Sequence, residues 1–437
     1  MVSKVVIAIV VAIGVMIVRK VLNWAWLKPK KLEKWLRDEG YKGNSYKVVV
    51  GDMEELSTMM MEAKSKAMPI THDITSHVLP FDHHIISKYG KRSFMWFGPT
   101  PRIYITDPEL IKEILWRPNE FQKPHPEPIR DSIIAGLLAS EDMNDKWQLL
   151  TAETGVMEVD VWPFIDNLAG DIISRTAFGS CYEEGRKIFR IQKEQTYLKA
   201  IDIGEHGDND LLGILLESNS KEIEEDGIGM SMEDVIEECK LFYLAGSETT
   251  SNLIVWTMVC LSLHQEWQIR ARQEVQQVFG TEELNFDGLK HLKIVTMILN
   301  EVLRLYPPAV MVTRATSKET KLGNMMIPSG VHITIPIIYV HHDREIWGED
   351  ATEFKPERFS EGVANATKTG GPSAFLPFTS GPRVCIGQNF AMIEAKTAIA
   401  KILQRFSFQL SPSYTHSPFP VFTLPPRFGA HLILRSI

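Results

Sequence analysis

Val5 to Val18 is an unbroken apolar run, and Val21, Leu22, Trp24 and Trp26 carry that character past Arg19 and Lys20. The run is barely one membrane span in length. A secretory leader fits a run this short, but no small-residue cleavage motif follows it. Trp24 and Trp26 supply an interfacial aromatic pair, and Lys28, Lys30, Lys31 and Lys34 place positive charge after the segment, which keeps the body on the cytosolic side. The pattern therefore predicts a single-pass transmembrane anchor over 1–22, a basic and aromatic linker over 23–45, and one large domain over 46–437. Within that domain the β-branched runs Arg102 to Thr106 and Val331 to Ile338 predict strands, and helical periodicity dominates elsewhere.

The longest helical pattern starts at Ser231, an N-cap with Glu233 and Asp234 in the first turn, and runs to about His264 without a proline. At 1.5 Å per residue it is on the order of 50 Å long, enough to cross a domain. Its flanks are apolar, yet Ala245 to Ser251 reads AGSETTS, with a glycine and a carboxylate inside a hydrophobic rod. Glycine costs about 1 kcal/mol against alanine there, and a buried glutamate needs partners. Two readings stand: a functional site, or a packing glycine beside hydroxyls that bond back to the helix.

Composition narrows the field. Hydrophobic residues make up 44% and charged residues 23% of 437, the values of a folding globular chain. A net charge of -8 leaves no broad basic face, so no nucleic acid is expected as a partner. The four cysteines, Cys181, Cys239, Cys260 and Cys385, form neither a disulfide framework nor a CxxC pair, which suits a reducing compartment. The adjacent pairs His83-His84 and His341-His342 point apart in a helix or strand and are expected to be surface or loop histidines. The acidic run Glu222 to Asp226 is expected to be a solvated loop.

Phe378 to Gly387 reads FTSGPRVCIG and meets the haem-binding pattern F-x-x-G-x-R-x-C-x-G at all five fixed positions, Phe378, Gly381, Arg383, Cys385 and Gly387. A lone cysteine is ordinarily a small buried hydrophobe. Here the glycine permits a tight turn, Arg383 is available to a propionate, and the helical pattern Gln388 to Leu403 follows, with amide N–H groups that favour a thiolate. Thiolate ligation gives iron an electron-rich axial partner that favours O–O cleavage over oxygen carriage. Glu301 and Arg304, three apart in ILNEVLRLYPP, share one helix face among leucines, and Pro307 and Pro308 end that helix. Pro356 to Phe359, PERF, offers Arg358 as a third charge for a buried network.

In that order, AGSETT, EVLR, PERF and FTSGPRVCIG resemble the cytochrome P-450 superfamily. The stretches VLPFDHHIISKYGK, FMWFGPTPRIYITDPELI and DVWPFIDNLAGDIISRTAFGSCYEEGR resemble its plant branch, which includes secologanin synthase and triterpene and gibberellin oxidases. The resemblance implies a mainly α fold with small β-sheets, a helical prism, on an endoplasmic reticulum anchor. It implies one haem b (iron protoporphyrin IX), with O2 and electrons passed from NADPH by a cytochrome reductase to oxidise a bulky apolar substrate of the terpenoid kind. Carried over by residue, Cys385 is the axial iron ligand, Glu248 and Thr249 the proton-delivering pair, Arg383 and Arg314 propionate contacts, and Glu301, Arg304 and Arg358 a structural triad.

Between Gly136 and Trp162 the family carries a W-x-x-x-R helix whose Trp and Arg contact a propionate. This chain runs GLLASEDMNDKWQLL, and Trp147 has Thr151 where Arg is required. A second shortening falls near 200–210. Losing a cationic propionate contact removes about 1.5–3 kcal/mol of charge-assisted bonding. Three functions stay open on the sequence: a reductase-dependent monooxygenase, favoured by the intact Glu248-Thr249 pair; an O2-independent haem-thiolate isomerase or dehydratase; and a truncated, poorly haem-loaded membrane protein.

Overall fold

The computed structural model describes residues 2–124, 156–178, 211–227, 229–280 and 282–437. Helices make up most of them, with three small sheets. The residues gather into two compact units, one of Met1–Ser140, Ala309–Ile386 and His416–Pro420, the other of Glu141–Pro308, Gly387–Thr415 and Val421–Ile437. Both expected shortenings, with Trp147, Thr151 and Cys181, lie outside the described residues.

The first unit begins with the helix Val2–Leu22, continued by the π-helical turn Asn23–Leu27 into the helix Lys28–Asp38. From Val10 to Trp24 its side chains are exposed. The helix has the length and composition to cross a membrane. Character changes at Lys28: Leu32 and Leu36 are buried beside the strand Thr100–Tyr104, and Glu33 is held between Lys30 at 2.7 Å and Arg37 at 2.9 Å. The stretch expected as linker thus contains an amphipathic helix, its apolar stripe supplied by the two leucines four apart.

A six-stranded sheet organises this unit, in the order Lys42–Gly43, Ser93–Phe97, Thr100–Tyr104, His332–Ile335, Val312–Thr316, Phe121–Gln122. The expected strand over Arg102 to Thr106 is found shifted by two residues. That over Val331 to Ile338 stops at Ile335, because Pro336 has no N–H for the ladder and instead begins the helix Ile337–His341. That helix corrects the expectation for the second histidine pair. His341 is fully buried, accepts the Leu376 N–H at 2.9 Å through Nε2 and stacks on Phe375; His342 is buried and bonded to the Thr75 hydroxyl at 3.2 Å. Both rings have polar partners inside the fold, which is what lets a histidine be buried. His83 and His84 are half-buried on the helix Pro80–Tyr89.

The second unit is built on the helix Met232–Leu263, 32 residues long. Ser231 caps it as expected, in a reciprocal box with Asp234. From Thr250 to Ser262 every residue is buried, so this half is enclosed on all faces. Its neighbours are the helices Trp162–Phe178, Gln265–Phe279, Lys293–Leu305 and Gln388–Arg405 and the strand Phe406–Leu410. Trp256 stacks on Tyr306 with ring centroids 4.4 Å apart and gives its indole proton to the Leu424 carbonyl at 2.7 Å. Phe406–Leu410, His431–Ser436 and Val156–Asp160 form a three-stranded antiparallel sheet. The acidic run Glu222 to Asp226 is the last part of the helix Leu211–Asp226 and not a loop: Lys221 pairs with Glu217 at 2.6 Å, and the acidic side chains described there face solvent without leaving the helix.

Candidate functional site

The motif loop of the first unit is shaped by its own backbone. Cys385 N–H donates to the Phe378 carbonyl at 3.0 Å, Val384 N–H to Gly381 at 3.0 Å, and Thr379 N–H to Leu376 at 3.0 Å. His341 holds the Leu376 amide at the start of the loop. Gly381 sits at φ +78°, and a Cβ built there would stand 2.5 Å from the Leu115 carbonyl oxygen of the helix Pro108–Trp116. Both facts demand glycine. Thr379, at φ +60°, also occupies left-handed space, so the loop stores strain at a second position.

The outcome is a thiol presented outward. Cys239 and Cys260 are buried, whereas Cys385 is exposed between Val384 at 45% and Ile386 at 89% exposure. Beside this loop Arg314, on the strand Val312–Thr316, is buried, and its guanidinium donates to the Thr313 carbonyl at 3.0 Å. Burial holds the Arg314 guanidinium below its usual range, and the nearby Arg383 cation pushes the same way. Two cations near one another, one desolvated, suit a doubly anionic partner. An exposed thiol flanked by exposed apolar side chains suits a flat apolar partner with a metal centre. These residues fit a haem. Gly387, at φ -85°, is the N-cap of the helix Gln388–Arg405 and accepts the Ala391 N–H at 2.8 Å.

In the second unit Glu301 and Arg304 are fully buried and paired at 2.8 Å through both guanidinium nitrogens that face the carboxylate. A bidentate pair at this depth needs that geometry to offset its desolvation. Arg358, expected as the third member, belongs to the first unit, where it bonds the Trp347 carbonyl at 3.2 Å and the Asp350 carboxylate at 2.9 Å. The AGSETTS patch realises the packing reading for its glycine: a Cβ on Gly246 would meet Ile173 at 2.8 Å. Ser247 and Thr249 donate to the carbonyls of Tyr243 and Ala245, four residues back, at 2.9 and 2.7 Å. Glu248 is different. It accepts a 2.6 Å bond from the Thr423 hydroxyl through Oε1, while Oε2 is shut off from solvent with no partner among the described residues. Burial raises its carboxyl above the ordinary range, partly opposed by Thr423 and reinforced by Asp166.

The family model described as Cytochrome P450 matches residues 186–429. The chain belongs to the cytochrome P450 family. It is 46% identical to cytochrome P450 CYP72A219 of Panax ginseng, over 96% of both chains. It is 44% identical to 7-deoxyloganic acid hydroxylase of Catharanthus roseus over 96% of both, and 42% identical to secologanin synthase 1 of the same plant over 96% of this chain and 95% of that one. The alignment with the ginseng protein extends over 497 residues against the 437 of this chain, so the relative carries segments without a counterpart here. This cytochrome P450 is an oxidoreductase of the monooxygenase type, whose family uses haem, O2, a redox partner and a small-molecule substrate.

Sequence reasoning passed over Thr423, Asn252 and Asp166, whose place around Glu248 depends on pairings as distant as 175 residues. It also passed over Glu394, where a signal existed: an acid among the apolar positions of the helix Gln388–Arg405. Both Glu394 oxygens are buried and have no partner among the described residues, and burial pushes the carboxyl up to about 8.

Gly381→Ala is expected to cost about 1–3 kcal/mol through the left-handed φ and the carbonyl clash. Thermal unfolding and haem occupancy together would show it, and an unchanged melting temperature with full occupancy would contradict the strain argument. For Glu394 the folded pKa lies above the unfolded value of 4.5, so the folded state holds the extra proton between 4.5 and about 8. Stability is therefore expected to fall as pH rises through that window. Glu394→Gln should flatten this slope in a pH series of melting temperatures; equal slopes in both proteins would refute the assignment.

Proposed function

We propose that this cytochrome P450 inserts one oxygen atom from O2 into a bulky apolar terpenoid, with electrons drawn from NADPH through a cytochrome reductase. The observation that carries the reading is the outward-facing Cys385 in its glycine-dependent loop, with buried Arg314 near Arg383. Cys385 would ligate the iron of a haem b, and Arg314 and Arg383 would hold its propionates. Phe378, Gly381 and Gly387 fix the path of the loop through their backbone. Thiolate ligation would give the haem iron an electron-rich ligand, which favours O–O cleavage. Glu248 and Thr249 are the proton-delivering pair: Glu248 carries a raised carboxyl, and the Thr249 hydroxyl oxygen keeps lone pairs to accept while its proton rests on Ala245. Glu301, Arg304 and Arg358 are structural and do not touch substrate.

The terpenoid class is supported by the two Catharanthus relatives, named for 7-deoxyloganic acid and secologanin. Residues 1–22 anchor the chain in the endoplasmic reticulum, 23–45 join it to the body, and 46–437 form the cytosolic catalytic domain. The exposed apolar helix and the lysines after it support this arrangement. A second reading, a poorly haem-loaded chain, is favoured by the missing W-x-x-x-R pattern and by relatives longer than this chain.

Turnover of a terpenoid panel with a plant reductase separates the two. Oxygenated product is expected from the full chain, and no product together with low haem occupancy, both restored by inserting a relative's segment after Leu138, would establish the second reading. In the working enzyme Thr249→Ala is expected to divert NADPH electrons to peroxide, and full coupling in that variant would assign proton delivery elsewhere. Removing the residues before Trp24 should release the chain from membranes on alkaline washing; a truncated chain that resists extraction would disprove the anchor.

A further inference from the structure

Glu248 is held by a residue from the far end of the sequence. Thr423 Oγ1 lies 2.6 Å from Glu248 Oε1 and 2.7 Å from Asn252 Nδ2, and Asn252 and Thr423 are both buried. Asn252 Nδ2 can only donate, so the Thr423 oxygen accepts there. The single hydroxyl proton of Thr423 is then directed to Glu248 Oε1. With Oε1 committed as an acceptor, a proton carried by Glu248 sits on Oε2, the oxygen without a partner among the described residues. Asn252 is four residues beyond Glu248 on the same helix, one turn along the same face, which is why one hydroxyl reaches both.

We propose that Thr423 is a positioning residue for proton delivery: with Asn252 it fixes Oε1 as an acceptor and leaves Oε2 as the one oxygen of Glu248 that takes up and releases protons. The proposal rests on the monooxygenase reading and adds to it the group that orients the acid. Among the described residues Asp166, on the helix Trp162–Phe178 packed against the long helix, is the charged group that acts on Glu248; the segment after Val421 contributes the neutral Thr423. Burial favours the protonated acid, Thr423 opposes it by favouring the carboxylate, and Asp166 adds to the effect of burial. Removing the hydroxyl therefore moves the titration of Glu248 upward, whereas a change that only loosened the packing would admit water and move it toward an ordinary carboxylate.

The test is an infrared titration of the carboxyl stretch in the full chain, with Glu248→Gln identifying the band. Thr423→Val is expected to shift the midpoint upward and Thr423→Ser to restore it; Thr423→Ala replaces the valine variant should that one fail to fold. With reductase and substrate, Thr423→Val is expected to lose coupling to peroxide and to shift the pH profile of coupling in the same upward direction. An unmoved midpoint overturns the proposal. A downward one does so too, since the substitution would then have admitted water or removed a bond to the protonated acid, and neither is the hold proposed here. A shifted midpoint with wild-type coupling at every pH overturns the link to proton delivery. Absence of turnover in the wild-type chain counts against the monooxygenase reading, and the infrared midpoints then decide the hold of Thr423 on Glu248 by themselves.

Discussion

The Cys385 thiol is exposed, and the motif loop holds it in place by backbone rather than by burial. Side chains at Val384, Cys385 and Ile386 are exposed, so they contribute little to fixing the loop. The work falls to the amide bonds from Cys385 to Phe378 and from Val384 to Gly381, and to the approach of Gly381 to the Leu115 carbonyl. That approach is closer than any Cβ permits. His341, buried and bonded to the Leu376 amide, fixes where the loop begins. The helix Pro108–Trp116 thus bears on the loop that carries the thiol through a position where no side chain fits.

The second unit meets a different constraint, that of keeping polar groups in an apolar interior. Glu301 and Arg304 do so by mutual satisfaction, with both partners fully buried. Glu394 has no partner among the described residues, and burial favours the protonated form of its carboxyl. Glu248 lies between these cases, with one oxygen bonded and the other buried without a partner among the described residues. A carboxyl so divided keeps its orientation while remaining able to exchange a proton, the property an acid in a relay requires.

Local features were legible in the sequence wherever neighbours in the chain decide them. The long helix, its Ser231 cap and the helix after Cys385 follow from periodicity and capping chemistry, and Gly381 follows from the turn it must make. Pro336 is equally local, yet the β-branched residues around it predict strand beyond the point where it ends the ladder. Long-range pairings were not legible: Thr423 with Glu248 and His341 with Leu376 depend on how separate segments fold back. The stretch Lys28–Asp38 read as a linker because its charges are dense, although Leu32 and Leu36 four apart are enough to dock a short helix.

Ligation of iron by the thiolate of Cys385 is the claim on which the functional account stands. The absorption spectrum of the reduced, carbon monoxide-bound chain tests it most directly. The account predicts the red-shifted thiolate band in the wild-type chain and its loss in Cys385→Ala with the fold retained. A haem-loaded wild-type chain showing only the histidine-type band, or a thiolate band surviving in Cys385→Ala, would contradict it.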